Sequence, residues 1–266
     1  MSISLYPHQQ DMISGLVAAL KNHNRVLLQG PTGVGKTVMA AWIATNILGR
    51  GGRVWLVCHR NELLDQTSGT FNAFDIKHGL IASGKKYNGY FRCHIASVET
   101  LKNRLDQIEP PNVVVWDEAH HLGAKGWAMV QDALPDAKHI GLSATPQRLD
   151  GRGLDRHFDY LVPGPQTAWL IEHGFLAKFR LFSVPEIDRS ALHTRMGNYM
   201  PSEVEAEMST PTITGDIIKH WRQHAQDKLT IGFAATINHS QQLAQEFSSA
   251  GIPAAHIDGG TNKIGR

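Results

Sequence analysis

Residues Gly30–Thr37 read GPTGVGKT and satisfy every fixed position of the phosphate-binding loop G-x-x-x-x-G-K-[ST]. A polyphosphate needs many donors at short range, and glycines let backbone N–H groups approach it without an intervening Cβ. Pro31, Thr32, Gly33, Val34 and Gly35 form the cradle. Lys36 brings a compact positive charge to the β/γ oxygens, and Thr37 offers a hydroxyl to Mg²⁺. The flanks agree with this reading. Arg25–Gln29, RVLLQ, is a short apolar run of the kind that forms a buried strand, and Val38–Leu48, VMAAWIATNIL, reads as a helix. The helix N-terminus then points its positive end at the phosphates.

The second half of the candidate nucleotide site lies at Asn112–His121, NVVVWDEAHH. A β-branched run ending in two carboxylates reads as a buried parallel strand with its acidic pair at the carboxyl end. Ligands sit at that end in open α/β sheets. Asp117 is the candidate for the Mg²⁺ shell. Glu118 is the better candidate for orienting and deprotonating an attacking water, because a general base must stand near the water without binding the metal itself. An acidic pair after a strand often does no more than cap the next helix. A phosphate loop upstream moves the reading towards catalysis.

With these residues in view, the chain resembles superfamily 2 helicases and translocases. Asp117-Glu118-Ala119-His120 spells their DEAH box, and further blocks follow in the family's order. Leu5–Gln10, LYPHQQ, resembles the segment that opens the first motor domain. There Gln9 corresponds to the glutamine that reads adenine, and Tyr6 stands where the family has arginine. Val57–Gln66 (VCHRNELLDQ) resembles motif Ia, Ile95–Leu101 (IASVETL) motif Ib and Gly141–Pro146 (GLSATP) motif III. The continuation Gln147–Leu154, QRLDGRGL, is similar to RadD-like bacterial and phage-encoded helicases. Ile231–Phe247, IGFAATINHSQQLAQEF, resembles motif IV of the second motor domain.

The resemblance implies an ATP- and Mg²⁺-dependent motor that moves along or unwinds nucleic acid, with DNA expected rather than RNA. It implies a grip on the sugar-phosphate backbone through His59, Arg60 and Asn61 of motif Ia and Ser97 and Thr100 of motif Ib. Asn61 is also a natural N-cap, and the free amides of a helix start can hold a phosphate. Such contacts position a strand without reading its sequence. His120, Ser143 and Thr145 are implied as the link between the nucleotide and nucleic-acid sites. Arg148, Asp150 and Arg152 read equally as a local ion-pair turn or as phosphate contacts.

A complete second motor domain of this family carries motif V and then motif VI, whose arginine finger is worth a factor of ~10³–10⁵ in rate. After Ala254–Thr261, AAHIDGGT, the sequence reaches Arg266 with neither. The expectation is a truncated motor that binds nucleotide and hydrolyses it slowly. The alternatives are a nucleotide- and nucleic-acid-binding module, or the motor part of a restriction-type complex.

Composition bounds the rest. The 266 residues allow one large or two smaller domains, and 42% apolar content is ordinary for a globular chain. The net charge of +2 neither requires nor excludes nucleic acid, so any such site must come from locally placed groups. Cys58 and Cys93 lie far apart and form no C-x-x-C; Cys58, in the apolar run RVWLVC, reads as a buried thiol on a strand, and a reducing cytoplasm is expected. Neither a signal peptide nor an apolar run of ~18 residues is present, so no membrane is expected. His220 and His224 stand four apart on a probable helix without the glutamate or third ligand of a zinc site, and read as a solvated face.

The fold class expected is α/β: a RecA-like P-loop NTPase domain, its parallel sheet covered by helices on both faces, followed by the beginning of a second RecA-like domain. Strands are expected at 26–29, 53–58, 94–97, 113–116 and 139–143, and helices at 6–21, 37–48, 61–74, 99–104, 126–133 and 167–173. An irregular passage at 158–165 closes the domain. Then come a strand at 178–183, a short helix near 202–208, helices at 214–226 and 239–250, and strands at 229–234 and 253–257. The domains divide as 1–170, a linker 171–210, and an incomplete 211–266.

Overall fold

The computed structural model describes residues 3–59, 61–147, 151, 153–182, 193–195, 198–208 and 211–261. Two compact units emerge, Met1–Arg180 and Leu181–Arg266.

In the first unit the elements run α1 (Pro7–Ala19), β1 (Arg25–Gln29), α2 (Lys36–Gly49), β2 (Val54–Cys58), α3 (Asn61–Ala73), β3 (Gly79–Ile81), β4 (Cys93–Ser97), α4 (Val98–Leu101), β5 (Val113–Asp117), α5 (Lys125–Asp132), β6 (Lys138–Ser143), β7 (Tyr160–Pro163) and α6 (Thr167–Glu172). Short 3₁₀ turns lie at Leu105–Gln107 and Ala119–Gly123. The seven strands form one sheet in the order β3-β4-β2-β5-β6-β1-β7, and every pairing is parallel.

Parallel strands need crossovers, and the crossover helices cover both faces. Alternate residues therefore enter two separate cores. Val26, Leu28, Leu56, Cys58, Val115 and Ile140 pack with Ile13 and Leu16 of α1, Met39 and Ile43 of α2 and Phe71 of α3. Leu27, Trp55, Val57, Val114 and Trp116 pack on the other face with Leu101 of α4 and Trp127 and Val130 of α5. The central strands are apolar on both faces, which is why they read as continuous hydrophobic runs.

The five expected strands of this unit form within one residue of their expected bounds. Two more appear. β3 is only three residues long, and β7 occupies the passage expected to be irregular, pairing with β1 from Val26↔Tyr160 to Gln29↔Pro163. As the edge strand, β7 can hold Pro163, which has no N–H for a further neighbour. The expected helix 99–104 is shorter: α4 stops at Leu101, and turns lead into the 3₁₀ segment.

In the second unit, β8 (Thr194–Arg195) and β9 (Asn198–Tyr199) pair antiparallel. Helices α7 (Pro201–Met208), α8 (Pro211–His224) and α9 (Ile237–Ser249) follow. Thr236 caps α9 by accepting from the His239 amide at 3.1 Å. Trp221 of α8 sets its ring edge on Phe247 of α9, and Arg222 donates to the Ala250 carbonyl at 2.8 Å. The expected strands 229–234 and 253–257 do not form. Neither does a strand over 178–182, and residue 183 lies outside the described residues. A strand exists only as part of a ladder, and among the described residues none of these segments pairs with a neighbour.

Candidate functional site

Parallel pairing puts the carboxyl ends of five strands in one row. Gln29 of β1 is level with Ser143 of β6, Leu142 of β6 with Asp117 of β5, and Cys58 of β2 with Ser97 of β4. The loop after β1 thus opens beside the acidic pair after β5, with the end of β6 between them. The Gly30 amide donates to the Ser143 carbonyl at 2.9 Å, and Gln29 Nε2 reaches the Ala144 carbonyl at 3.4 Å.

The loop bends where its glycines stand. Gly33 and Gly35 have φ of +87° and +90°, a region costly for other L-residues. At Gly35, which precedes α2, a Cβ would lie 2.3 Å from Gln9 Nε2. The first amides of α2, which follow the loop directly, have no intrahelical acceptor. Lys36 Nζ lies 3.4 Å from the Gly30 carbonyl, folded back over the loop. Thr32 and Gly33 are exposed, Pro31, Gly35, Lys36 and Thr37 half-buried, and Val34 buried.

Gln9 is buried. Its Oε1 accepts from the Tyr6 amide and its Nε2 donates to the Val34 carbonyl, both at 2.9 Å, so its amide braces the phosphate loop against α1. Tyr6, 61% exposed, is the open ring at this edge, with Phe175 edge-on to it at 5.2 Å. Leu176 closes on the loop from beyond α6, where a Cβ on Gly33 would come within 2.5 Å of its Cδ2. No sequence pattern marks Phe175 or Leu176, because they reach the loop through the fold of α6.

At the end of β5 the chain turns sharply. Glu118 takes a left-handed conformation, φ +50°, and its amide donates to Asp117 Oδ1 at 3.1 Å. A non-glycine residue held there is a strained position of the sort that collects at functional sites. Burial raises the Asp117 carboxyl above the usual carboxylate range and the neighbouring Glu118 adds to this, while the Lys36 ammonium pulls the other way. A buried carboxylate with a like charge beside it favours a cation. With the Thr37 hydroxyl at the start of α2, the donors are hard oxygens that suit Mg²⁺, which takes one or two protein ligands and leaves the rest to water and phosphate. Among the described residues no group of three or more His, Cys, Asp or Glu is assembled for a metal, and His220 and His224 lie on α8 without a third ligand.

His120 stands between the acidic pair and the end of β6. Its Nδ1 is 3.4 Å from Glu118 Oε2 and 3.3 Å from Ser143 Oγ. The Ser143 hydroxyl donates to the Thr145 carbonyl at 2.7 Å and accepts from the Thr145 amide at 3.2 Å. These three residues are therefore brought together. His59 is exposed at the end of β2, Ser97 is buried at the end of β4, and Thr100 is half-buried on α4. Arg60, the Asn61 side chain, Arg148, Asp150 and Arg152 lie outside the described residues.

A nucleoside triphosphate laid along this edge would meet amides and an ammonium first and carboxylates next, the arrangement of a RecA-like motor domain of the superfamily 2 helicase type. The chain belongs to the family described as Type III restriction enzyme, res subunit, whose model matches residues 2–148. It is 32% identical over 237 residues to the 51.5 kDa protein of Lactococcus phage (isolate 7-9), covering 89% of this chain and 50% of that protein. It is 26% identical over 272 residues to the Type I restriction enzyme EcoAI endonuclease subunit of Escherichia coli, covering 89% and 33%. The chain thus spans half or less of these relatives. A solved structure, the ATP-dependent Type ISP restriction-modification enzyme LlaBIII bound to DNA, superposes with a TM-score of 0.62 at 14% identity, over 92% of this chain and 21% of that one. At that identity the likeness is one of fold.

Proposed function

We propose that this chain is the ATP-binding part of a nucleic-acid-dependent motor, hydrolysing ATP to move along or unwind nucleic acid, read as DNA rather than RNA. The observation that carries this reading is the meeting of the loop bearing Lys36 and the Asp117–Glu118 pair on one sheet edge, with only the end of β6 between them. In this reading the loop amides and Lys36 hold the phosphates, and Thr37 and Asp117 hold Mg²⁺. Bound there, the metal supplies positive charge to the β/γ-phosphate oxygens. Glu118 takes the proton of the attacking water, and His120, Ser143 and Thr145 link this site to the nucleic-acid face. Gln9 and Tyr6 border the base. His59, Arg60, Asn61, Ser97 and Thr100 contact the sugar-phosphate backbone. The second unit is the beginning of a second motor domain, with the division of domains near residues 170 and 210. A reducing cytoplasm suits its two buried thiols, and among the described residues no helix is long and apolar enough to cross a membrane.

Steady-state ATP turnover with and without single-stranded DNA tests the proposal. Turnover that DNA raises and that Lys36→Ala abolishes is expected. Absence of ATP binding by the folded chain in calorimetry would sink it. A second reading, the motor part of a restriction-type complex, is favoured by the family match to residues 2–148. It requires that stimulation depend on a particular recognition sequence, whereas the leading reading requires only a strand.

A further inference from the structure

His59 and His121 come from different strand ends and lie face to face, ring centroids 4.3 Å apart and planes at 21°. His121 is 4.4 Å from the ring of His120. Behind the pair stands Trp127 of α5, 3% exposed, with centroids 5.7 Å from His121 and 6.2 Å from His59. Trp127 rests in turn on buried Trp116 of β5 at 5.8 Å. A line of rings therefore runs from an exposed side chain after β2 to His120 beside Glu118, against a close-packed wall that cannot yield.

The end of this line is a choice between two acceptors. The Ser143 hydroxyl spends its proton on the Thr145 carbonyl, so a bond between Ser143 and His120 must be donated by His120 Nδ1–H. That single N–H also faces Glu118 Oε2, at 3.4 Å against 3.3 Å to Ser143. On Glu118 it occupies a carboxylate lone pair. On Ser143 it leaves that lone pair open to a water. A small rotation of His120 would favour one acceptor over the other, the kind of two-state element that coupling between sites requires.

Resting on the motor reading above, we propose that the His59–His121 stack sets this choice. A strand that fixes His59 presses His121 against Trp127, and His121 turns His120 so that its Nδ1–H passes from Glu118 to Ser143, freeing the base. His121 is then a positioning residue for nucleic-acid-stimulated hydrolysis, acting through the flat face of its ring.

The test uses the full chain, an oligothymidylate as the nucleic acid, saturating ATP, and a separate DNA affinity measurement by fluorescence anisotropy. His121→Ala is expected to leave DNA-free turnover and DNA affinity within about twofold of wild type while the DNA stimulation factor falls about fivefold or more, the lower range of allosteric couplings. His121→Phe keeps a flat ring and should keep the stimulation. Ser143→Ala removes the alternative acceptor and should abolish the stimulation by DNA. Stimulation of His121→Ala equal to wild type overturns the link, as does a His121→Phe variant uncoupled to the same degree as His121→Ala, or a Ser143→Ala variant stimulated normally. A wild-type chain whose turnover DNA does not change overturns the motor reading together with the link, so the two failures are distinguishable.

Discussion

Asp117 and Glu118 are neighbours with different surroundings, and substitution should separate them. Glu118→Gln keeps the shape at the left-handed turn and removes the basic lone pair. ATP binding should persist while hydrolysis falls by ~10²-fold, the scale of a general base. Asp117→Asn should weaken Mg²⁺-dependent binding instead, and the reverse phenotypes in parallel titrations would exchange the two roles. His139 shows the same sensitivity to surroundings in the core. It is buried, Nδ1 accepts from Trp116 Nε1–H at 3.1 Å, and Nε2 donates to the Leu134 carbonyl at 3.0 Å, so it is held neutral. Burial first of all pushes its pKa down to about 4. The folded value lies below the unfolded one, so the unfolded chain binds the extra proton as the solution is acidified. Stability from this group is therefore complete above about pH 6.5 and is lost as pH falls towards 4, on the order of 3 kcal/mol in all. His139→Leu should destabilise at neutral pH by roughly 1–3 kcal/mol, because Trp116 Nε1–H is left unpaired, and flatten that acid dependence. Urea melts between pH 4 and 7 check both effects.

At the scale of elements, β6 carries one position that allows no side chain. Gly141 lies on the face shared by Leu27 and Phe158, and a Cβ there would come within 2.4 Å of Phe158 Cζ and 2.8 Å of Leu27 Cδ1. Gly141→Val should cost roughly 1–3 kcal/mol by overpacking, read as a lowered urea midpoint with an unchanged slope. A midpoint equal to wild type would show that Phe158 moves aside freely. The central strands of this sheet were legible because burial on both faces makes them plain apolar runs between turn signals. β7 was not, because its edge position exposes Tyr160, Leu161 and Pro163 and leaves only Val162 buried. The segments 229–234 and 253–257 show the opposite case. Their apolar composition reads as strand, and without a ladder among the described residues they remain irregular.

For the whole molecule, the seven-stranded sheet and both of its cores lie within Met1–Arg180. A fragment of residues 1–180 should fold cooperatively and bind ATP about as tightly as the full chain. A single thermal transition and a calorimetric titration would show it, and a fragment without a transition would mean that the first unit depends on the second. Residue types and spacing by themselves determined the phosphate loop, the acidic pair and the parallel α/β class, because local chemistry and periodicity write those features into contiguous stretches. Tertiary structure alone decided the rest. Strand register levels Gln29, Asp117 and Ser143 on one edge, the fold of α6 brings Leu176 onto Gly33, and the convergence of β2 and β5 stacks His59 on His121. Each of these contacts joins residues tens of positions apart, and chain distance carries no signal of which faces will meet once the apolar strands are buried.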